Sequence, residues 1–183
     1  MLVGLPRIGA LPAKAATTAV INITTTDDEL NTDQDCSLRE AIQAANTDTA
    51  VDACAAGSGA DTINIPAGTY IITIPGTNED ANATGDWDVL SPITLQGAGM
   101  GNTVLNGGGL DMVLHGINTD LTIRSLTITN GDGGMLQNGG NLVVESVRIA
   151  GNTAISWRAG GATVFNANAT MTDSIVEDNH FNA

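Results

Sequence analysis

The chain has 183 residues, enough for one domain, with 22 glycines, 3% aromatic and 14% charged residues. Twenty acidic residues stand against six basic ones, a net charge of −14. That balance argues against nucleic acid, which needs a basic stripe to displace phosphate counterions, and against docking on an anionic membrane. No apolar run approaches the roughly 18 residues of a spanning helix, so no membrane insertion is expected.

Met1 to Leu11 is mildly apolar around Arg7, and Ala13-Lys14-Ala15 resembles a small-residue export cleavage site. Residues 1–16 therefore read as the remnant of a leader. Residues 19–24 read as a strand, and Asp27 to Asp35 as an acidic loop. In Cys36-Ser37-Leu38-Arg39-Glu40-Ala41-Ile42, Ser37 and Glu40 form an S-x-x-E capping box, each side chain serving an orphan backbone N–H. Leu38, Ala41, Ile42 and Ala45 then make one apolar face, predicting a helix over 38–46. Residues 47–60 form a loop that holds Cys54. Cys36 and Cys54 have no C-x-x-C and no nearby His, which argues against zinc. In an exported protein they would form a disulfide; in a reducing compartment they would be two free thiols. Residues 61–74 read as strand, corner at Pro66-Ala67-Gly68, strand. Pro75 to Asp88 reads as a long polar loop.

From Leu90 onward the pattern repeats. Asn141 to Asn152 aligns with Asn168 to Asn179 at an offset of 27. Leu142, Val144, Val147 and Ile149 lie over Ala169, Met171, Ser174 and Val176. Leu121, Ile123, Leu126 and Ile128 match the first set at an offset of 21. Apolar residues alternate, skip one residue more, and alternate again: period 2 interrupted by a corner. A planar sheet has no need of repeated corners. A coil of strands does, because each turn buries its inward side chains on those of its neighbours. Gly and Asn are expected at the corners, where positive φ costs least. Asn152 and Asn179 align and are expected to form a ladder.

The block Cys36 to Ile42 with Ala45-Asn46 resembles the motif that opens the CSLREA group of secreted bacterial right-handed parallel β-helix proteins. Gly59 to Tyr70, Glu79-Asp80, Gly85-Asp86-Trp87-Asp88, Ile93 to Gly99 and Thr103 to Gly107 follow the order usual in that group. The Cys36/Cys54 spacing is similar to that of members with a second cysteine after the helix. The likeness covers roughly residues 20–183. It departs at Leu110-Asp111-Met112, where the group leads one to expect Arg after the Asp. The resemblance implies an all-β, right-handed parallel β-helix with an N-terminal capping α-helix. Residues 17–60 would be the cap and 61–183 the coils, the first part of a longer solenoid. It implies export to the cell surface or medium, and no particular reaction.

The candidate chemistry is thin. A polysaccharide lyase on this fold needs carboxylates and a basic residue for the α-proton. After residue 20 the cations are Arg39, Arg124, Arg148 and Arg158. Arg39 belongs to the cap helix. Arg124 aligns with Glu145 as an outward ion pair, and Arg148 stands above Val176 with no acidic neighbour in its column. A hydrolase needs carboxylates about 5–10 Å apart across one groove. Asp86 and Asp88 sit near a loop exit, and Asp111 would have to join from the next coil. Glu79, Asp80, Asp86 and Asp88 are the candidate cation or glycan contacts, with Trp87 as a stacking platform. Calcium is the candidate cofactor, either there or at Asp27-Asp28-Glu29 with Asp33 and Asp35. His115 and His180 read as surface or corner residues. The leading expectation is a non-catalytic exported scaffold or adhesion-type module whose lateral face meets a polysaccharide or surface protein. The alternative is a lyase or hydrolase acting on acidic polysaccharide. The last coil carries no closing segment, so end-to-end association is expected there.

Overall fold

The computed structural model describes residues 18–155 and 158–182; the leader reading of residues 1–16 and Trp157 lie outside them. The described elements begin with β1 (Val20–Asn22), α1 (Leu38–Thr47), β2 (Asp61–Ile65), β3 (Gly68–Ile71), β4 (Trp87–Val89), β5 (Ile93–Gly97) and β6 (Thr103–Asn106). They continue with β7 (Leu114–Ile117), β8 (Leu121–Thr129), β9 (Met135–Asn138), β10 (Asn141–Ala150), β11 (Thr153–Ala154) and β12 (Ala162–Phe165). β13 (Asn168–Thr172), β14 (Ile175–Glu177) and β15 (His180–Phe181) end the series.

The chain is mostly β, and the strands pair in parallel. One sheet runs β1-β2-β5-β8-β10-β13, with β3 and β6 over the second half of β8 and β14 over the second half of β10. A second runs β12-β9-β7-β4, and a third pairs β11 with β15. The repeat offsets read from the sequence are the observed registers: Leu121↔Leu142, Val144↔Met171 and Met135↔Ala162.

These registers stack like on like. Ile21, Ile63, Leu95, Ile123, Val144 and Met171 form one inward column. Tyr70, Leu105, Ile128, Ile149 and Val176 form another. Trp87, Leu114, Met135 and Ala162 line the second sheet. Each fully buried aliphatic side chain contributes roughly 1.5–3 kcal/mol. Outward pairs add far less: Arg124 Nε meets Glu145 Oε2 at 2.6 Å with both side chains over 40% exposed, a geometry worth under about 1 kcal/mol. Inward columns, not surface charge, hold the stack together.

Arg148 departs from expectation. It lies against Ile175, not Val176, and its Nε reaches Glu177 Oε1 at 2.8 Å. Glu177 is two residues beyond Ile175, so it shares the outward face and meets Arg148 diagonally.

The corners use more than Gly and Asn. Ser125, Ser146 and Asp173 occupy equivalent positions, each with φ near +50°. Short polar residues tolerate this conformation better than most; next to Asp173, Ser174 Oγ donates to the Thr172 carbonyl. At Gly140 no side chain fits: φ is +73° and a Cβ would lie 2.0 Å from the Thr119 carbonyl oxygen. The asparagine ladder is present. Asn152 is fully buried, its Oδ1 accepts from the Gly131 amide, and its Nδ2 donates to Asn179 Oδ1.

α1 packs on β1 and β4, terminal strands of the two larger sheets, and on β2 next to β1. Its capping box is complete: Ser37 Oγ accepts from the Glu40 amide and Glu40 Oε2 from the Ser37 amide. Cys36 and Cys54 form a disulfide, which rules out the free-thiol reading and ties the helix start to the following loop. At the opposite edge, Met171, Val176 and Phe181 are 43–55% exposed. Their column partners Val144, Ile149 and Ala154 are buried. Among the described residues no helix is long and apolar enough to cross a membrane.

Candidate functional site

The segment between β3 and β4, read as a solvated polar loop, is instead clamped to the cap. Arg39 points inward from the first turn of α1 and is fully buried. Its Nε donates to Asp28 Oδ1 at 2.6 Å and its Nη2 to Asp28 Oδ2 at 3.2 Å. The remaining guanidinium hydrogens donate to the carbonyls of Asn82, Gly85 and Asp86. Asn46, in the last turn of α1, brackets β4 by donating to the Asp88 carbonyl and accepting from the Leu90 amide. Helix and loop therefore form one unit, and Asn82, Asp86, Trp87 and Asp88 are buried within it.

This unit brings three of the four candidate carboxylates together and gives the fourth a different task. Glu79 accepts from the amides of Ala81, Ala83 and Thr84. Burial pushes its pKa up, but the Thr84, Ala81 and Ala83 amides outweigh that and hold it below the ordinary value. Glu79 orders the loop. Asp86 is 2% exposed and its Oδ2 has no hydrogen-bond partner. Burial, then the neighbouring Asp88 and Asp111, push its carboxyl up to about 8. Asp88 is fully buried; its Oδ2 accepts from the Asn82 amide at 3.0 Å. Burial raises its pKa, against the lowering influence of His115 and Asn82.

Three residues complete the site. His115 is buried rather than a surface or corner residue, because β7 pairs with β4 in the register Asp88↔His115. Its Nδ1 lies 3.4 Å from Asp88 Oδ1 and 3.6 Å from Asp80 Oδ1. Asp111 does join from the next layer: a Cβ at Gly85, where φ is +66°, would stand 3.0 Å from Asp111 Oδ2. Arg158 reaches Asp111 Oδ1 at 3.5 Å, supplying from a later layer the cation missing beside Asp111. A signal for His115 was present in the sequence. Asp88 and His115 are 27 apart, as are Met135 and Ala162, although the step between, His115 to Leu136, is 21.

A lateral cavity of about 280 Å³ lies beside the β4-β7-β9 sheet, with Asp88 buried behind its lining. Asp80, Asp86, Asp111, His115, Asn138 and Arg158 contribute to its lining. Trp87 does not: it is 1% exposed, stacked over Leu114 in the core, and offers no face to a sugar. The other acidic loop is also changed by the fold. Asp28 is spent on Arg39 and on the Thr73 and Ile74 amides, which leaves Glu29, Asp33 and Asp35 as neighbours. Among the described residues, Arg39, Arg124 and Arg148 pair with carboxylates elsewhere and Arg158 lines the cavity.

The chain matches no protein-family model, no curated protein and no solved structure.

Proposed function

We propose that this chain is the cap and first coils of a right-handed parallel β-helix of the CSLREA kind, exported, and serving as a non-catalytic surface scaffold that binds a glycan through its lateral cavity. The observation that carries the reading is the cavity itself, a polar recess built from successive layers on one side of the stack. Support for the fold comes from the all-parallel registers and from a helix covering the terminal strands of both larger sheets. Support for export comes from the disulfide, a bond that persists in oxidising compartments.

The cavity suits a hydroxyl-rich neutral sugar. Carboxylates accept from hydroxyls, and Asn138 and Arg158 donate. A polyuronate would meet several carboxylates and one arginine, which disfavours it in the absence of a cation. Hydrolysis is less well supported than binding. A glycosidase must present two carboxyl groups to the glycosidic bond. Here Asp86 and Asp88 are almost wholly buried and Glu79 is held by three amides.

The test is a glycan-array screen on the oxidised protein, with and without calcium, including neutral and uronate polymers. Binding that is lost in Asp80→Asn and Arg158→Ala supports the reading. Absence of binding, or binding indifferent to both substitutions, refutes it. The same reading has the open edge at β13–β15 receive further strands end to end. The 183-residue protein is then expected to self-associate with rising concentration in light scattering; a strictly monomeric protein at high concentration counts against that part.

A further inference from the structure

Beyond the glycan reading, and independent of it, we infer that Asp80, Asp88 and His115 form a binding site for a divalent transition cation of the zinc class. One donor atom from each of the three side chains falls within a single 4.8 Å cluster. Zinc binds imidazole nitrogen and carboxylate oxygen at roughly 2.0–2.2 Å, and a tetrahedral arrangement then sets its donors about 3.4 Å apart. The two separations from His115 Nδ1, 3.4 and 3.6 Å, match that edge.

A second observation points to a ligand. The Asp88 side chain is 0% exposed, and its Oδ1, the oxygen facing His115, makes no hydrogen bond. Its other oxygen is fixed by the Asn82 amide, so the carboxylate cannot turn away without losing that bond. His115 Nδ1 faces that oxygen at 3.4 Å without hydrogen-bonding it, and a buried carboxylate oxygen left so is costly and is relieved by a cation held between the two. Arg39 on the Asp86 carbonyl, and Asn46 on the Asp88 carbonyl and the Leu90 amide, hold the backbone of this ligand in place before any ion arrives.

The donor set decides the metal. Calcium and magnesium take oxygen ligands, whereas imidazole selects zinc and its transition neighbours. The inference therefore departs from the calcium expected of an acidic loop. Asp88 and His115 are the rigid pair, adjacent on paired strands; Asp80, with a side chain 72% exposed, closes on the ion from the loop. Three protein ligands leave a fourth position for water or an oxygen donor. Asp80 and His115 also line the cavity, so that position serves a ligand bound there.

The experiment is calorimetric titration of the metal-stripped, oxidised 183-residue protein with Zn²⁺, Ca²⁺ and Mg²⁺, with no glycan present. One equivalent of Zn²⁺ is expected, with Ca²⁺ and Mg²⁺ at least tenfold weaker. Asp80→Asn, an exposed change that leaves the fold intact, and His115→Ala are each expected to weaken Zn²⁺ at least tenfold. His180→Ala is expected to leave it unchanged. Co²⁺ in place of Zn²⁺ is expected to give the visible spectrum of a tetrahedral nitrogen–oxygen site, lost in Asp80→Asn. The inference is overturned by the absence of stoichiometric binding, by Ca²⁺ binding as tightly as Zn²⁺, or by Zn²⁺ affinity that survives Asp80→Asn and His115→Ala. Zinc binding without any glycan binding leaves this inference standing and refutes the preceding one.

Discussion

Replacing Arg39 with methionine keeps most of the side-chain volume and removes the charge and its donors. The structure sets the size of the effect. Asp28, 1% exposed at its side chain, loses both bonds from the guanidinium, and the carbonyls of Asn82, Gly85 and Asp86 lose their donor. Breaking a buried ion pair by removing one partner costs about 3–5 kcal/mol, because the other charge stays buried. Three stranded carbonyls place this case at the top of that range. For a protein of this size that is roughly a 10–20 °C fall in melting temperature. The reference is Arg124→Ala, which breaks a half-exposed ion pair and costs under about 1 kcal/mol. The double variant Asp28→Asn/Arg39→Met removes the orphaned charge and is expected to recover part of the loss. Urea unfolding of the oxidised proteins at neutral pH compares these three variants with the unsubstituted protein. If Arg39→Met loses no more than Arg124→Ala, the clamp does not hold the cap, and the ordering of the cavity loop by α1 is wrong.

Three further outcomes are expected. Removing the Cys36–Cys54 bond by a double Cys→Ser change costs about 3 kcal/mol on the chain-entropy model, read as a lower urea midpoint; an unchanged midpoint refutes a stabilising role. Asn152→Ala leaves the Gly131 amide without its buried acceptor and costs roughly 1–3 kcal/mol; Asn179→Ala, at the open edge, is expected to cost less in the same assay. Glu29 is pushed up to about 6, first by burial and then by Asp33 and Asp35. The folded protein therefore holds this proton more tightly than the unfolded chain, and stability falls as pH rises from about 4.5 to about 6. Glu29→Gln keeps the acceptor for Asn31 and is expected to be the more stable protein at pH 7, with the difference gone at pH 4. An equal gap at both values would show that the cost of ionising Glu29 in the fold is not the cause.

The stack was legible in the sequence because its cause is periodic. Leu121, Leu142 and Ala169 occupy one column for the same reason that they align: each layer must bury its inward positions on the next. The cap was legible because a capping box and an apolar face are local patterns within ten residues. The site was legible only in part. Asp80, Asp86 and Asp88 were visible as a cluster, but their burial was not, because it depends on Arg39 crossing to carbonyls 43–47 residues away. Carbonyls are present at every residue and leave no mark in a sequence. Trp87 failed as a sugar platform for a related reason: the column holding Leu114 and Met135 begins inside what reads as a polar loop. His115 was recoverable. Its distance from Asp88 equals the 27-residue offset of Met135 and Ala162, but the step between, His115 to Leu136, is 21, so the pair emerges only when both offsets are tried. The rule that follows is specific to stacked chains. A polar residue one period from a carboxylate is its neighbour in space, so the search for a site in such a chain runs along columns rather than along the sequence. Applied here with both offsets, that search places Asp88 beside His115 on paired strands before any side-chain geometry is known. The three-dimensional structure then adds what columns cannot show: Asp80 from the loop beside them, and Asp111 and Arg158 on the lining of the same cavity.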